Sequence, residues 1–369
     1  MITRISALLA APAFLALVSG CQASPPVSPE AAAPVSVAIV PEAEPWATIE
    51  PGGDTLCATG TPFRFHVRSG DPERVMVFLN GGGACWSGDL CDLQTAPTPY
   101  TPFAEMDSNN PELLEGVFDE ANPANPIAGW TQVFVPYCTG DSHLGGGDVT
   151  YTTSAGQEVT VHHRGKANVQ AALDWVYANR ADARRIFVTG GSAGAIASPY
   201  YAGLVADHYP QADVVHLADG AGGYRSPAIA GVLAAWGAFK GVPDWPEFAA
   251  IDQATASTED FFRVTAARHP EMQMARFDNV DDAVQQDFLT LLGTGEPVRG
   301  LLAANNADLA GDIPTIRAFE APGNAHTSLR FSRFYTEEAG GVTLVDWVRG
   351  LANGEAVASV SCQSDQSCD

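Results

Sequence analysis

Arg185–Gly194, RIFVTGGSAG, is the stretch whose reading decides the fold. Ile186, Phe187 and Val188 follow one another without a polar break, the composition of a strand buried on both faces. The run enters Gly190-Gly191-Ser192-Ala193-Gly194, a G-x-S-x-G, and Ala195–Asp207 behind it reads as a helix. A sharp strand–turn–helix needs small residues in order to close, and it leaves the serine hydroxyl standing clear. Both neighbours of Ser192 are small. Plain glycine turns also match G-x-S-x-G, so Ser192 becomes a candidate nucleophile through its flanking elements and its possible partners elsewhere.

Reading toward the N-terminus, Arg74–Leu79 is a second strongly apolar strand, and it runs into Asn80-Gly81-Gly82-Gly83-Ala84-Cys85-Trp86. A glycine triplet directly after a buried strand offers backbone N–H groups at the carboxyl edge of the sheet. No Lys-Ser/Thr follows, so it is not a phosphate-binding P-loop. Its place suits one half of an oxyanion hole, and a plain turn is the alternative. Short strands are predicted over Thr61–Val67, and longer ones over Trp130–Tyr137, Asp213–Ala218, Glu271–Phe277 and Ile313–Glu320. Helices are predicted over Lys166–Asn179, Asp281–Leu292 and Thr343–Leu351, the last with Gly354 beyond its end. Gln94–Asn125 reads as a long loop and His143–Gly147 as a mobile one. Gly223–Pro270 reads as helices forming a lid or pocket wall. Strands alternating with helices predict an α/β fold with a mostly parallel, doubly covered sheet and a helical insert.

A serine nucleophile needs a base, and the base an orienting carboxylate, in the chain order Ser, Asp/Glu, His. His326 is the only histidine after His269 and sits in a loop just past an apolar strand. Asp219 and Asp278 each end a strand and compete for the third place. Asp278, at the end of the second strand after the nucleophile strand, is preferred on that ground.

The rest of the composition bounds partners and compartment. Residues 1–20 read as a lipoprotein signal peptide: Arg4, an apolar run over Ile5–Leu17, then Val18-Ser19-Gly20-Cys21, with Cys21 as the lipidated residue. Cleavage near Ala23 is the plainer alternative. Residues 21–46, with prolines at 25, 26, 29, 34, 41 and 45, form a tether that spans roughly 75 Å if extended at about 3.1 Å per residue. The catalytic domain is expected over 47–357 and a short tail over 358–369. A net charge of −24, with Lys166 and Lys240 the only lysines, disfavours nucleic acid and anionic surfaces. Apart from Cys21 the cysteines are 57, 85, 91, 138, 362 and 368, an even number that argues for disulfides in an exported chain. No histidine or cysteine spacing supports a metal site.

At this point a resemblance becomes specific. The sequence is similar to the pectin acetylesterase family, which includes plant pectin acetylesterases and the animal carboxylesterase Notum. Leu79-Asn80-Gly81-Gly82-Gly83-Ala84-Cys85-Trp86, Pro136-Tyr137-Cys138, Gly191-Ser192-Ala193-Gly194, Leu217-Ala218-Asp219, Arg276-Phe277-Asp278 and Asn324-Ala325-His326-Thr327 resemble its blocks. Asn80 and Ala84 depart from it, standing where a glutamate and an aromatic residue are usual. The resemblance implies an α/β-hydrolase-like serine esterase acting on an acyl ester or acylated glycan, without cofactor. The implied triad is Ser192, Asp278 and His326, with an oxyanion hole at Gly82, Gly83 and Ala193. It also implies the pairs Cys57–Cys138 and Cys85–Cys91, leaving Cys362–Cys368. A monomer exported to a bacterial-type cell envelope and held by a lipid anchor is expected. The alternative from another class is an inactive relative that binds glycan or ligand at the cell surface.

Overall fold

The computed structural model describes residues 44–94 and 98–362. Its strands are β1 (Ala47–Ile49), β2 (Phe65–Arg68), β3 (Asp71–Leu79), β4 (Trp130–Val135), β5 (Gly147–Thr152) and β6 (Glu158–His163). They continue with β7 (Arg185–Gly191), β8 (Asp213–Asp219), β9 (Gln273–Asn279), β10 (Ile316–Ala321), β11 (Glu338–Ala339) and β12 (Val342–Thr343). Eight of them form one sheet in the order β1-β2-β4-β3-β7-β8-β9-β10. From β4 to β10 every neighbouring pair is parallel, and the first two pairings, β1 with β2 and β2 with β4, are antiparallel. The expected mostly parallel α/β sheet is therefore what forms, with β7 in its interior.

The helices are α1 (Gly88–Cys91), α2 (Gly165–Asn179), α3 (Ala193–His208), α4 (Ile229–Trp236) and α5 (Pro246–Ala249). Four more follow: α6 (Glu259–Arg268), α7 (Ala283–Leu291), α8 (Val298–Asp312) and α9 (Leu344–Asn353). In β3, Val75, Val77 and Leu79 face one core while Met76 and Phe78 face another, the period-2 alternation of a strand buried on both sides. The two faces are covered unequally. Val169, Leu173 and Val176 of α2, Tyr200, Tyr201 and Val205 of α3, Phe261 and Phe262 of α6 and Leu301 and Leu309 of α8 fill the first. The second holds Phe78, Phe134, Phe187, Phe277 and Phe319 against Leu344, Trp347, Val348 and Leu351 of α9, with Val117, Phe118 and Phe334 from two short 3-10 turns, Gly116–Phe118 and Ser332–Tyr335.

Gly223–Pro270 is helical as expected, but its parts do different things. α4 sends Ile229, Val232 and Trp236 toward the nucleophile's pocket, whereas α6 packs its aromatic side chains into the core under the sheet. The hairpin β5–β6, in register from Gly147 opposite His163 to Thr152 opposite Glu158, was not anticipated. Its period-2 pattern and Ser154-Ala155-Gly156 turn were legible in the sequence. His143–Gly147 is also not a mobile loop. Ser142, His143 and Leu144 are buried, and Tyr201 Oη donates to the His143 carbonyl at 2.6 Å.

Two disulfides pair as expected, Cys57–Cys138 and Cys85–Cys91. Cys362 is also disulfide-bonded, and Cys368 lies outside the described residues. Cys21, the leader and nearly all of the tether lie outside them too. The first bridge joins the segment before β2 to the turn after β4 and closes an 81-residue loop. On the loop-entropy account that contributes about 4.5 kcal/mol, against about 2 for the six-residue loop of Cys85–Cys91. The double substitution Cys57→Ser, Cys138→Ser is expected to lower Tm by about 5–10 °C in a calorimetric scan. The corresponding change at Cys85 and Cys91 should lower it by less than half as much.

Candidate active site

Ser192 stands between β7 and α3 with φ 54° and ψ −118°, a positive φ that a side-chain-bearing residue seldom adopts. The turn holds because its surroundings leave no room for anything larger. A Cβ on Gly81 would sit 2.7 Å from the Ser192 Cβ, and one on Gly190 would sit 2.5 Å from the Gly194 carbonyl carbon. Gly194 itself lies against the Leu79 carbonyl oxygen at the end of β3. The glycines on both sides of Ser192 are thus explained by close backbone approach.

Asp219, at the carboxyl end of β8, ties this turn to the loop after β10. Its carbonyl oxygen accepts the Ser192 N–H at 2.7 Å. Its buried carboxylate accepts the N–H of Ser328, at 3.0 and 2.9 Å to its two oxygens, and that of Leu329 at 2.8 Å. Burial pushes the Asp219 carboxyl up to about 6 even though these donors pull the other way. The loop that Asp219 holds is the one that carries His326.

His326 Nδ1 lies 2.7 Å from Asp282 Oδ2, and its Nε2 is buried without a partner. Arg333 donates to the carbonyls of His326 and Thr327, at 3.0 and 2.8 Å, which holds the loop from its other side. The carboxylate on the imidazole is therefore Asp282, not Asp278 as expected. Asp278 ends inside the sheet edge, where its Oδ1 accepts the Gly222 N–H at 2.7 Å and Gln285 Nε2 at 2.9 Å. Burial pushes its carboxyl up to about 7 against the pull of Arg276.

Asp282 lies four residues further on, past the edge, and caps α7. Its Oδ1 accepts the N–H groups of Val284 and Gln285 at 2.9 and 3.0 Å, and Gln285 Nε2 donates to its Oδ2 at 2.9 Å. One glutamine amide thus bridges both aspartates. Sequence reasoning missed Asp282 because the predicted helix began at Asp281 and absorbed it. The usable signal was an N-cap aspartate directly before an apolar-periodic run.

In the loop after β3, Gly81 lies against Ser192, Gly82 against Tyr137 and Thr101, and Gly83, at φ 77°, lines the same pocket as Ser192. Among the described residues no group of the chain accepts the N–H of Gly82, Gly83 or Ala193. A pocket of about 40 Å³ opens beside them, lined by Trp86, Ile196, Tyr224, Trp236, Phe288 and Leu292 around Ser192. Trp236 is held in that wall by its Nε1 donating to the Cys85 carbonyl at 2.7 Å. Cys85, Cys91 and His163 also cluster, but the two sulfurs are bonded to each other and neither is a thiolate ligand.

Residues 32–227, more than half of the chain, match the pectinacetylesterase family. The match takes in the glycine loop and Ser192 and stops short of Asp282 and His326. Pectin acetylesterase 5 of Arabidopsis thaliana is 26% identical over 174 residues, 46% of this chain and 39% of that protein. The chain therefore aligns with about two fifths of that relative's length. The family match and the strand–turn–helix around Ser192 fall on the same segment, and the chain belongs to the pectinacetylesterase family.

Proposed function

We propose that this protein is an exported serine esterase that removes acetyl groups from a polysaccharide such as pectin, with Ser192, His326 and Asp282 as its triad. The observation that carries the reading is the hydrogen-bonded chain Asp282–His326, with the unpartnered Nε2, on a loop that Asp219 ties to the strained Ser192 turn. In the proposed mechanism Ser192 Oγ attacks the ester carbonyl carbon and passes its proton to His326 Nε2. The resulting oxyanion is met by the N–H groups of Gly83 and Ala193, with Gly82 beside them. The C–O bond to the sugar then breaks, and its oxygen takes the proton from His326. Water attacks the acyl-enzyme, His326 accepts and returns its proton, and acetate leaves with Ser192 regenerated. Asp282 holds the imidazole in the tautomer that has Nε2 free to accept.

The size of the pocket supports a short acyl group. The space beside Ser192 is small, about 40 Å³, and its wall is apolar, which suits a short uncharged acyl group. Export is supported by the disulfides, which persist in oxidising compartments. The lipid anchor at Cys21 belongs to the same proposal. No helix of the described residues is long and apolar enough to cross a membrane.

Ser192→Ala should reduce hydrolysis of 4-nitrophenyl acetate and of acetylated pectin by several orders of magnitude and abolish labelling by a fluorophosphonate, with Tm unchanged. Activity retained in the folded variant would refute the mechanism. On a series from acetyl to octanoyl esters, kcat/KM should favour acetyl over octanoyl by about 10²-fold or more. Equal turnover of octanoate would contradict the short-acyl reading.

The two neighbouring aspartates separate cleanly. Asp282→Asn should lower kcat by about 10⁴, because it removes the acceptor that orients His326. Asp278→Asn should leave kcat within about tenfold and change the pH dependence of stability instead. An acid whose folded pKa is raised from 3.8 to about 7 holds its proton more tightly folded than unfolded. Its contribution is complete below about pH 4 and is lost as the pH rises through about 7. Wild-type Tm should therefore fall between pH 5 and 8, and it should fall less in Asp278→Asn. A catalytic collapse in Asp278→Asn with normal turnover in Asp282→Asn would reverse the assignment.

A further inference from the structure

Ser142 lies far from the G-x-S-x-G motif in sequence, yet it lines the nucleophile's pocket with Gly83, Ser192 and Ala193. The residue is fully buried, and its hydroxyl has no hydrogen-bond partner. A buried hydroxyl without a partner is costly, and few persist in native structures without a function. The backbone around it is strained as well: Ser142 and His143 have φ of 50° and 59°, consecutive positive values outside glycine.

Several contacts fix that strained pair beneath the glycine loop. The Ser142 N–H donates to Tyr137 Oη at 2.9 Å, and the Tyr137 ring lies where a Cβ on Gly82 would come within 2.6 Å of it. His143 Nε2 lies 2.8 Å from the Asn80 carbonyl oxygen at the start of the same loop. The buried Asp141 carboxylate accepts the His143 N–H at 3.0 Å, the Thr139 hydroxyl at 2.6 Å and the Gly165 N–H at 2.8 Å. Ser142 is therefore held beneath the loop that supplies Gly82 and Gly83, among the residues that line the pocket, with its hydroxyl left without a partner.

We propose that Ser142 Oγ is a third donor to the oxyanion, acting beside the backbone N–H groups of Gly83 and Ala193. The proposal rests on Ser192 being the nucleophile. In the free enzyme the hydroxyl is unsatisfied, and it finds its acceptor only when negative charge develops on the carbonyl oxygen. A donor held in place before the reaction incurs no reorganisation at that moment, which is why such a group favours the transition state over the bound ester. Tyr224, the third hydroxyl lining the pocket beside those of Ser142 and Ser192, meets Phe288 of the apolar wall edge-on.

Ser142→Ala deletes the donor and keeps a Cβ at the same φ, so the strain is unchanged. Ser142→Gly deletes it and relieves the strain, which keeps the test valid should the alanine variant fail to fold. Both are expected to lower kcat for 4-nitrophenyl acetate by about 10²-fold with KM within about threefold. Tm should be equal to or above that of the wild type, since an unsatisfied buried hydroxyl has been removed. An unchanged kcat in either folded variant, or a loss of kcat accompanied by a lower Tm, overturns the proposal. Fluorophosphonate labelling of the wild-type chain separates the two levels. Absence of label at Ser192 overturns the esterase reading and this proposal together, whereas label at Ser192 with full turnover in Ser142→Ala overturns this proposal alone.

Discussion

The site depends on one buried residue that touches none of the reacting atoms. Asp219 receives the Ser192 N–H on its carbonyl and the Ser328 and Leu329 N–H groups on its carboxylate. The strained serine turn and the loop bearing His326 are thereby anchored to the same point at the end of β8. A hydrogen bond to a charged group contributes about 1.5–3 kcal/mol, so the two N–H donors to the carboxylate, from Ser328 and Leu329, offset part of the cost of burying it. Burial still prevails, since the carboxyl titrates near 6 rather than at its ordinary value. The anchor is satisfied but not relaxed, as expected for a group that holds two distant segments in register.

A second buried network lies on the other side of His326. Gln285 donates to Asp278 and Asp282 at once and accepts the Gly223 N–H at 2.7 Å, so α7, β9 and the segment leading to α4 meet in one amide group. Asp282 is the more fully satisfied of the two acids, with two helix N–H groups, the glutamine and the imidazole around it. Asp278 has fewer donors and titrates near 7. Two carboxylates four residues apart thereby sit in different surroundings, Asp282 holding an imidazole and Asp278 supporting the glutamine.

The glycine loop is shaped by packing rather than by its own preferences. Tyr137 fills the space under Gly82, His143 holds the Asn80 carbonyl, and Asn80 Nδ2 donates to Asn109 Oδ1 at 2.8 Å. Asn109 in turn donates to the Tyr137 carbonyl at 2.9 Å and accepts its N–H at 3.0 Å. Buried side-chain amides therefore bind the loop after β3 to the loop after β4. The Cys57–Cys138 and Cys85–Cys91 bridges stand at the two ends of this region, where a change in loop height would move the N–H groups away from Ser192.

Local sequence determined what depends on neighbours along the chain. The unbroken apolar runs at 75–79 and 186–188 could only be strands covered on both faces, and the small residues around Ser192 could only close a sharp turn against another backbone. The two disulfide pairs came from resemblance rather than from the residues themselves. The acid on His326 was not available locally. Asp219, Asp278 and Asp282 are the same residue type at or just past the carboxyl edge of the sheet. What separates them is how far the chain has travelled past that edge before turning into the next element. Asp278 is still within β9 and faces Gly222, while Asp282 has cleared it and begins α7 opposite His326. The burial of Ser142 and His143 was equally invisible, because glycine-rich polar stretches are common in exposed loops. Only the tertiary structure, by placing Tyr137, Tyr201 and Asn80 around them, turned that stretch into part of the pocket wall.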